Sequence, residues 1–247
     1  MTIAIGTGLY GVSLAEDGAA VRAAQALRQR CFFGSDGLDV EEIDDWCQHW
    51  LIGGAAGPVA TFRTQVFGSG ADLGTSYAAA RYDLRPMARM AGPMIELGRF
   101  CIAPGARDGD VLRLAWAALA RLVEESGARC LFGCASFAGT DPARHEAALR
   151  LLANRHLGPE ELRPGRASGE TVSLRAGPVE VRAAMAQLPG LLRSYLGMGG
   201  WVSDHAVIDR DLGTLHVFTA LPVAAIPPRR AAALHAIAGL EERSASA

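Results

Sequence analysis

Residues 94–125 constrain this chain more than any other stretch. An apolar run carrying one glutamate and one arginine breaks at Pro104-Gly105 and resumes as an amphipathic run. Ile95, Leu97, Phe100 and Ile102 are β-branched or bulky side chains suited to a sheet, and they bracket Glu96 and Arg99. Pro104 and Gly105 end that strand. Beyond them Val111, Leu112, Leu114, Ala115, Ala118, Leu119, Leu122 and Val123 recur at the three- and four-residue steps of a buried helical face, with Asp110 expected as the cap. A strand that delivers charged groups next to a helix N-terminus suits an anionic ligand, because that terminus presents backbone N–H groups and partial positive charge. Taken alone, Glu96 and Arg99 read equally well as a structural ion pair.

The remaining elements alternate. Residues 7–15 read as a first strand, and residues 17–33 as a helix capped by Asp17, stopped by Gly34 and carrying Arg28 and Phe32 one turn apart. The acidic run Glu41, Glu42, Asp44 and Asp45 reads for the most part as a solvated turn. Residues 49–52 and 58–66 form a glycine-linked hairpin with Arg63 inside its second strand, an unusual place for a charge. Residues 77–90 hold a helical fragment whose Arg81, Arg85 and Arg89 would share a face if Pro86 did not interrupt it. Residues 128–139 are an apolar run of buried-strand type. A helix follows from Asp141 to about residue 156, then a short strand at 171–174, a helix over 179–198 broken near Pro189, a hairpin of 201–208 with 215–221, and a last helix from 227 to 240 with a frayed tail. This is a mixed α/β (α+β) chain with a core large enough for one domain over residues 1–247, its C-terminal helix and tail occupying 229–247.

Composition narrows function. The 247 residues hold 24 basic against 26 acidic side chains, a net charge of −2, so no sequence-wide nucleic-acid footprint is present. Every basic residue is arginine and none is lysine, which excludes Schiff-base chemistry at a lysine. The five cysteines contain no C-x-x-C pair, so neither a disulfide framework nor a zinc or other metal site is suggested, and a reducing, cytoplasmic setting is expected. No run approaches the roughly 18 apolar residues of a membrane span, so any lipid would be met in the cytosol or at the inner membrane surface.

The strings LRQRCFF, FRTQVF, IELGRFCIAP, LFGCASFAGTDP and LPGLLRSYLGMGGWVSDHAVIDRDLGTLHVF, in that order, resemble the acyl-carrier-protein-dependent amino-acid N-acyltransferases of bacterial aminolipid synthesis. That family makes the lyso form of ornithine lipids, with a related branch associated with glutamine lipids; its members are often labelled hemolysin-like and resemble a branch of the Gcn5-related N-acyltransferase (GNAT) fold. The resemblance implies a three-layer fold with a central mixed, largely antiparallel sheet flanked by helices. It implies an acyl chain carried on the phosphopantetheine of acyl carrier protein as donor substrate, no bound cofactor, and ornithine or glutamine as acceptor. Glu96 becomes the expected base and Arg99 its catalytic companion. Arg28, Phe32, Arg63, Phe100 and Cys101 become acceptor-side residues, with backbone N–H groups near Phe100 and Cys101 facing an oxyanion. Arg107, Gly109 and Ser136 become donor-side residues. The turn Pro104-x-x-Arg107-x-Gly109 resembles the pyrophosphate loop of coenzyme-A enzymes, but Asp110 follows where a small residue is expected, and its charge favours a single phosphodiester. Gln48 stands where relatives carry an acid. The alternatives are an acyl-CoA-dependent GNAT N-acetyltransferase and a non-catalytic, hemolysin-like membrane-associated protein. Lysis has no support in the sequence, since pore formation needs a spanning or strongly amphipathic segment.

Overall fold

The computed structural model describes residues 5–7, 9–106, 108–167 and 169–240. Arg107 and the expected tail over 241–247 lie outside the described residues. In chain order the elements are β1 (Ile5–Thr7), β2 (Tyr10–Leu14), α1 (Gly18–Phe33), β3 (Gln48–Gly54), β4 (Gly57–Phe67), β5 (Tyr82–Asp83), β6 (Met94–Ile102) and α2 (Asp108–Ser126). They continue with β7 (Cys130–Ala138), α3 (Glu146–Arg155), β8 (Gly165–Arg166), β9 (Thr171–Ser173), α4 (Val181–Gln187), α5 (Gly190–Gly197), β10 (Trp201–Asp209), β11 (Thr214–Pro222) and α6 (Pro228–Ala238). The expected α/β architecture is present, with largely antiparallel strand pairing and flanking helices.

The chain divides into two compact units. The first comprises residues 1–65, 97–128 and 227–247, the second 66–96 and 129–226. In the first, β1, β2, β3, β4 and the later part of β6 are hydrogen-bonded in that order. Its α1 begins where the Asp17 side chain accepts from the Ala20 N–H at 2.8 Å and ends at left-handed Gly34, so both expected helix stops are present. The expected first strand is instead two short strands, β1 and β2, folded on each other with Thr7 paired to Tyr10. In α2 the helix starts at Asp108, so Asp110 sits inside the first turn and not at the cap; its carboxylate lies 2.6 Å from Arg113. The hydrophobic face of α2, with Val111, Leu114, Ala118 and Leu119 almost wholly buried, follows the predicted periodicity.

The second unit is built on the long hairpin of β10 and β11, with β9 beyond β10 and β7 beyond β11 in uninterrupted register from Ala138–Thr214 to Cys130–Pro222. The Arg129 N–H donates to the Pro93 carbonyl at 2.7 Å, which sets the start of β7 beside the start of β6. Phe132, Phe218, Tyr82, Met87, Met94 and Trp201 form one buried cluster. The arginine-bearing fragment is not a helix: two 3₁₀ turns, Ala78–Ala80 and Arg85–Arg89, flank β5, because Pro86 in the second turn cannot continue an α-helical ladder. Residues 179–198 split into α4 and α5 at Pro189, as the sequence predicts.

Candidate active site

In the first unit three buried guanidinium groups face three carboxylates. Arg28 leaves α1 with its side chain 1% exposed. Its Nη1 and Nη2 reach the two oxygens of Asp44 at 3.0 and 2.6 Å, its Nε lies 2.9 Å from Asp39, and its Nη2 also donates to the Asp39 carbonyl. Arg63, from the middle of β4, reaches Asp44 at 2.5 Å and Glu41 at 2.6 Å. Arg99, from β6, joins Asp39 at 3.2 Å to Glu41 at 2.6 Å and stacks its guanidinium over the Phe32 ring at 5.7 Å. Asp44 also accepts from Gln25 at 3.1 Å. Burial opposes its ionisation, but the Arg28 hydrogen bonds and charge, Gln25 and Arg63 outweigh that and hold its carboxyl well below the usual range.

Asp44 and Glu41 therefore correct the reading of the acidic run as a solvated turn at two of its four members, while Glu42 and Asp45 are exposed as expected. Asp39, Glu41 and Asp44 are the counter-charge for arginines arriving from α1, β4 and β6. A charge count could have found it: three arginines placed on buried faces require anions, and the segment 39–45 is the acidic run nearest in sequence to Arg28 and Arg63.

Arg99 is the only non-glycine with positive φ among the described residues, at 51°. A left-handed conformation costs an L-residue about 1–2 kcal/mol, so the ion pairs and the Phe32 contact must hold it there. A Cβ added at Gly98 would meet Arg63 Nε at 3.6 Å, an ordinary contact. Phe100 packs against Phe62 with centroids 6.0 Å apart, and Cys101 is buried.

Glu96, three residues earlier on β6, belongs to the second unit. The residue is 5% exposed, and its two carboxylate oxygens accept from the backbone N–H groups of Tyr77 at 2.9 Å and Ala78 at 2.7 Å, at the first 3₁₀ turn. Tyr77 in turn lies with its hydroxyl 3.4 Å from Asp209 and its ring against Arg81. Sequence reasoning missed this arrangement because backbone N–H groups carry no residue signature. Ser136 is exposed on β7, opposite His216 of β11, and Gly109 lies in the first turn of α2. Arg28, Phe32, Arg63 and Arg99 are thus brought together, while Glu96 and Ser136 are set among residues of the second unit.

His49, His205 and His216 are 4%, 0% and 1% exposed, as expected of core histidines. The His49 Nε2–H donates to the Asp44 carbonyl at 3.1 Å. Tyr82 donates its hydroxyl to the His216 carbonyl at 2.8 Å, which assigns the proton between Tyr82 Oη and His216 Nδ1 to the imidazole. Burial depresses the His216 pKa to about 4, so the ring is neutral. No group of metal-ligating side chains is present among the described residues, and no helix among them is long and apolar enough to cross a membrane.

Residues 25–117, from α1 into α2, match the acetyltransferase (GNAT) domain. The L-ornithine N(alpha)-acyltransferase of Rhodobacter capsulatus is 34% identical over 227 residues, which cover 84% of this chain and 88% of that one. Its counterpart from Brucella abortus is 29% identical over 246 residues, covering 90% and 87%. A solved aminoglycoside 6'-N-acetyltransferase in complex with coenzyme A aligns over 87% of this chain and 97% of its own with a TM-score of 0.46 and 11% identity, too distant to bear on chemistry. The domain and these relatives define an acyltransferase of the GNAT type. Within that class the chain belongs to the family of the L-ornithine N(alpha)-acyltransferases.

Proposed function

We propose that this enzyme transfers a 3-hydroxyacyl chain from the phosphopantetheine thioester of acyl carrier protein to the α-amine of ornithine, giving a lyso-aminolipid. The observation that carries this reading is the 34% identity to the Rhodobacter capsulatus L-ornithine N(alpha)-acyltransferase across most of both chains. The amine must lose a proton to attack. Glu96 takes that proton, directly or through a water. The C–N bond forms as the thioester C=O opens to a tetrahedral oxyanion; when the carbonyl re-forms the C–S bond breaks, and the carrier thiolate leaves and is protonated. Backbone N–H groups near Phe100 and Cys101 face the tetrahedral oxyanion. The support for Glu96 is its fixed orientation on two backbone donors; the support for Arg99 is its strained backbone, three residues further along β6.

Arg28, Arg63 and Arg99 are engaged with Asp39, Glu41 and Asp44, so they act on the acceptor mainly by fixing those carboxylates. Glu41, 26% exposed, is the member of the set open to the acceptor's second ammonium group. On the donor side, Arg107, Gly109 and Ser136 receive the phosphopantetheine arm. The Asp110 carboxylate in the first turn of α2 favours the single charge of a phosphodiester over a pyrophosphate. Phe33, Leu38, Val40 and Trp46 are exposed apolar side chains that supply a surface for peripheral contact with the membrane that receives the product.

The test is a matrix of purified enzyme with 3-hydroxyacyl carrier protein, 3-hydroxyacyl-CoA or acetyl-CoA against ornithine or glutamine, read by mass spectrometry of the acylated amino acid. Product is expected from the carrier-bound donor with ornithine, and its loss with Glu96→Ala. Turnover of acetyl-CoA alone would reassign the enzyme as an acetyltransferase, preference for glutamine would move the acceptor, and no product from any pair would overturn the reading.

A further inference from the structure

The first 3₁₀ turn, Ala78–Ala80, brings to Glu96 the two N–H groups that hold its carboxylate. Within the turn the Ser76 hydroxyl accepts from the Ala79 N–H at 3.1 Å, which leaves the N–H groups of Tyr77 and Ala78 for Glu96. A 3₁₀ turn this short has poor hydrogen-bond geometry of its own. Its two ends are gripped by one carboxylate that follows Tyr77 by 132 residues. At the start of the turn the Tyr77 hydroxyl donates to Asp209 Oδ2 at 3.4 Å, and at its end Arg81 Nη2 lies 3.4 Å from the same oxygen. The Arg81 guanidinium also lies over the Tyr77 ring, 5.5 Å from its centroid, so the two grips brace each other. Asp209 is itself fixed. It is the last residue of β10, paired with Thr214 across the hairpin; its side chain is 1% exposed, and its Oδ1 accepts from the Leu212 N–H at 3.0 Å. All of these residues belong to the second unit.

We propose that Asp209 is a positioning residue for Glu96: through Tyr77 and Arg81 it fixes the turn whose N–H groups direct the Glu96 carboxylate at the acceptor amine. The proposal rests on the reading of Glu96 as the base. A glutamate has several side-chain torsions, and donors on two successive residues, one to each oxygen, select one orientation of its carboxylate. Burial disfavours the charged form of a carboxyl group, and hydrogen bonds to that form restore it. The two donors therefore serve the base both in direction and in ionisation, and both services depend on the shape of the turn. Asp209 acts on Glu96 through the turn, so weakening its grip slows proton removal from the amine and leaves acceptor binding in place.

The experiment compares the folded, full-length enzyme with its Asp209→Asn and Tyr77→Phe variants, by kinetics with 3-hydroxyacyl carrier protein and ornithine and by NMR-detected amide exchange without substrates. Asp209→Asn is expected to lower kcat about tenfold or more with the acceptor KM within about twofold, because a misdirected base forfeits transition-state stabilisation and not binding. Tyr77→Phe keeps the ring under Arg81 and is expected to lower kcat in the same way by about threefold. The Tyr77 and Ala78 amides are expected to exchange at least about threefold faster in both variants, while the Arg129 amide, bonded to the Pro93 carbonyl at 2.7 Å in the same unit, keeps its rate. Should Asp209→Asn fail to fold, Tyr77→Phe, which removes a single oxygen from a half-buried side chain, gives both readouts. Unchanged exchange at Tyr77 and Ala78, equal acceleration at Arg129, or a raised KM with kcat unmoved would each overturn the proposal. Exchange needs neither donor nor acceptor, so a lack of product from every pair would sink the proposed reaction while exchange still decides whether Asp209 holds the turn.

Discussion

Arg28 holds Asp44 with two parallel hydrogen bonds, Nη1 to Oδ1 at 3.0 Å and Nη2 to Oδ2 at 2.6 Å, with both side chains almost excluded from water. The fork geometry matches a carboxylate, and the same carboxylate is reached by Arg63 at 2.5 Å. Removing Asp44 would leave two buried cations facing each other without their shared anion.

Asp44→Asn is accordingly expected to lower the free energy of unfolding by about 3–5 kcal/mol, the cost of breaking a buried pair from one side. Arg113→Ala, which removes the exposed pair with Asp110, should cost less than about 1 kcal/mol. Urea titrations of the two variants read the difference, and equal losses would mean that Asp44 carries no special weight.

Stability should fall as pH drops from about 6.5 to about 4. The folded His216 stays neutral down to about 4 because of burial, whereas the unfolded chain takes up its proton near 6.5. In that window the unfolded state binds more protons, so acidification favours it, by up to roughly 3 kcal/mol for this one residue. His216→Asn keeps a side-chain N–H for Tyr82 and removes the titration. Its unfolding free energy should vary less with pH than that of the natural chain between 6.5 and 4, and parallel curves would refute the assignment.

Gly70 donates its N–H to the Met90 carbonyl at 2.9 Å, and a Cβ there would come within 1.9 Å of the Met87 carbonyl oxygen. Gly70→Ala should lower stability by about 1–3 kcal/mol through forced backbone movement. Gly74→Ala, where an added Cβ meets nothing within 4 Å, should stay within about 0.5 kcal/mol of the natural chain. Thermal melts of the pair separate local crowding from a general intolerance of the segment.

Arg99 joins Asp39 to Glu41 through separate nitrogens, which a lysine ammonium cannot reproduce. With carrier-bound donor and ornithine, Arg99→Lys is expected to raise the acceptor KM about tenfold or more, with a smaller change in kcat. A lowered melting temperature with an unmoved KM would confine Arg99 to a structural role.

Local signals in the sequence were sufficient wherever a short segment specifies its own geometry. Asp17 and Gly34 mark the ends of α1, and the apolar alternation on either side of Asp209–Gly213 marks the β10–β11 hairpin. Reading failed where the partner lies far along the chain or has no side-chain signature. The acids Glu41 and Asp44 look solvated until Arg63 and Arg99 arrive from strands that follow in sequence, and Glu96 finds its partners in the N–H groups of Tyr77 and Ala78. The resemblance identified the family, but it could not say that Arg28, Arg63 and Arg99 are matched by protein carboxylates.

Asp39, Glu41 and Asp44 occupy six consecutive residues, whereas the arginines they hold sit on three separate elements. The anionic half of the network is therefore transferable as one short cassette. Exchanging residues 39–44 between family members would replace every carboxylate of the set together and leave the three arginine-bearing elements untouched. Diversification of this part of the enzyme can proceed by substituting one hexapeptide, without coordinated changes along the rest of the chain.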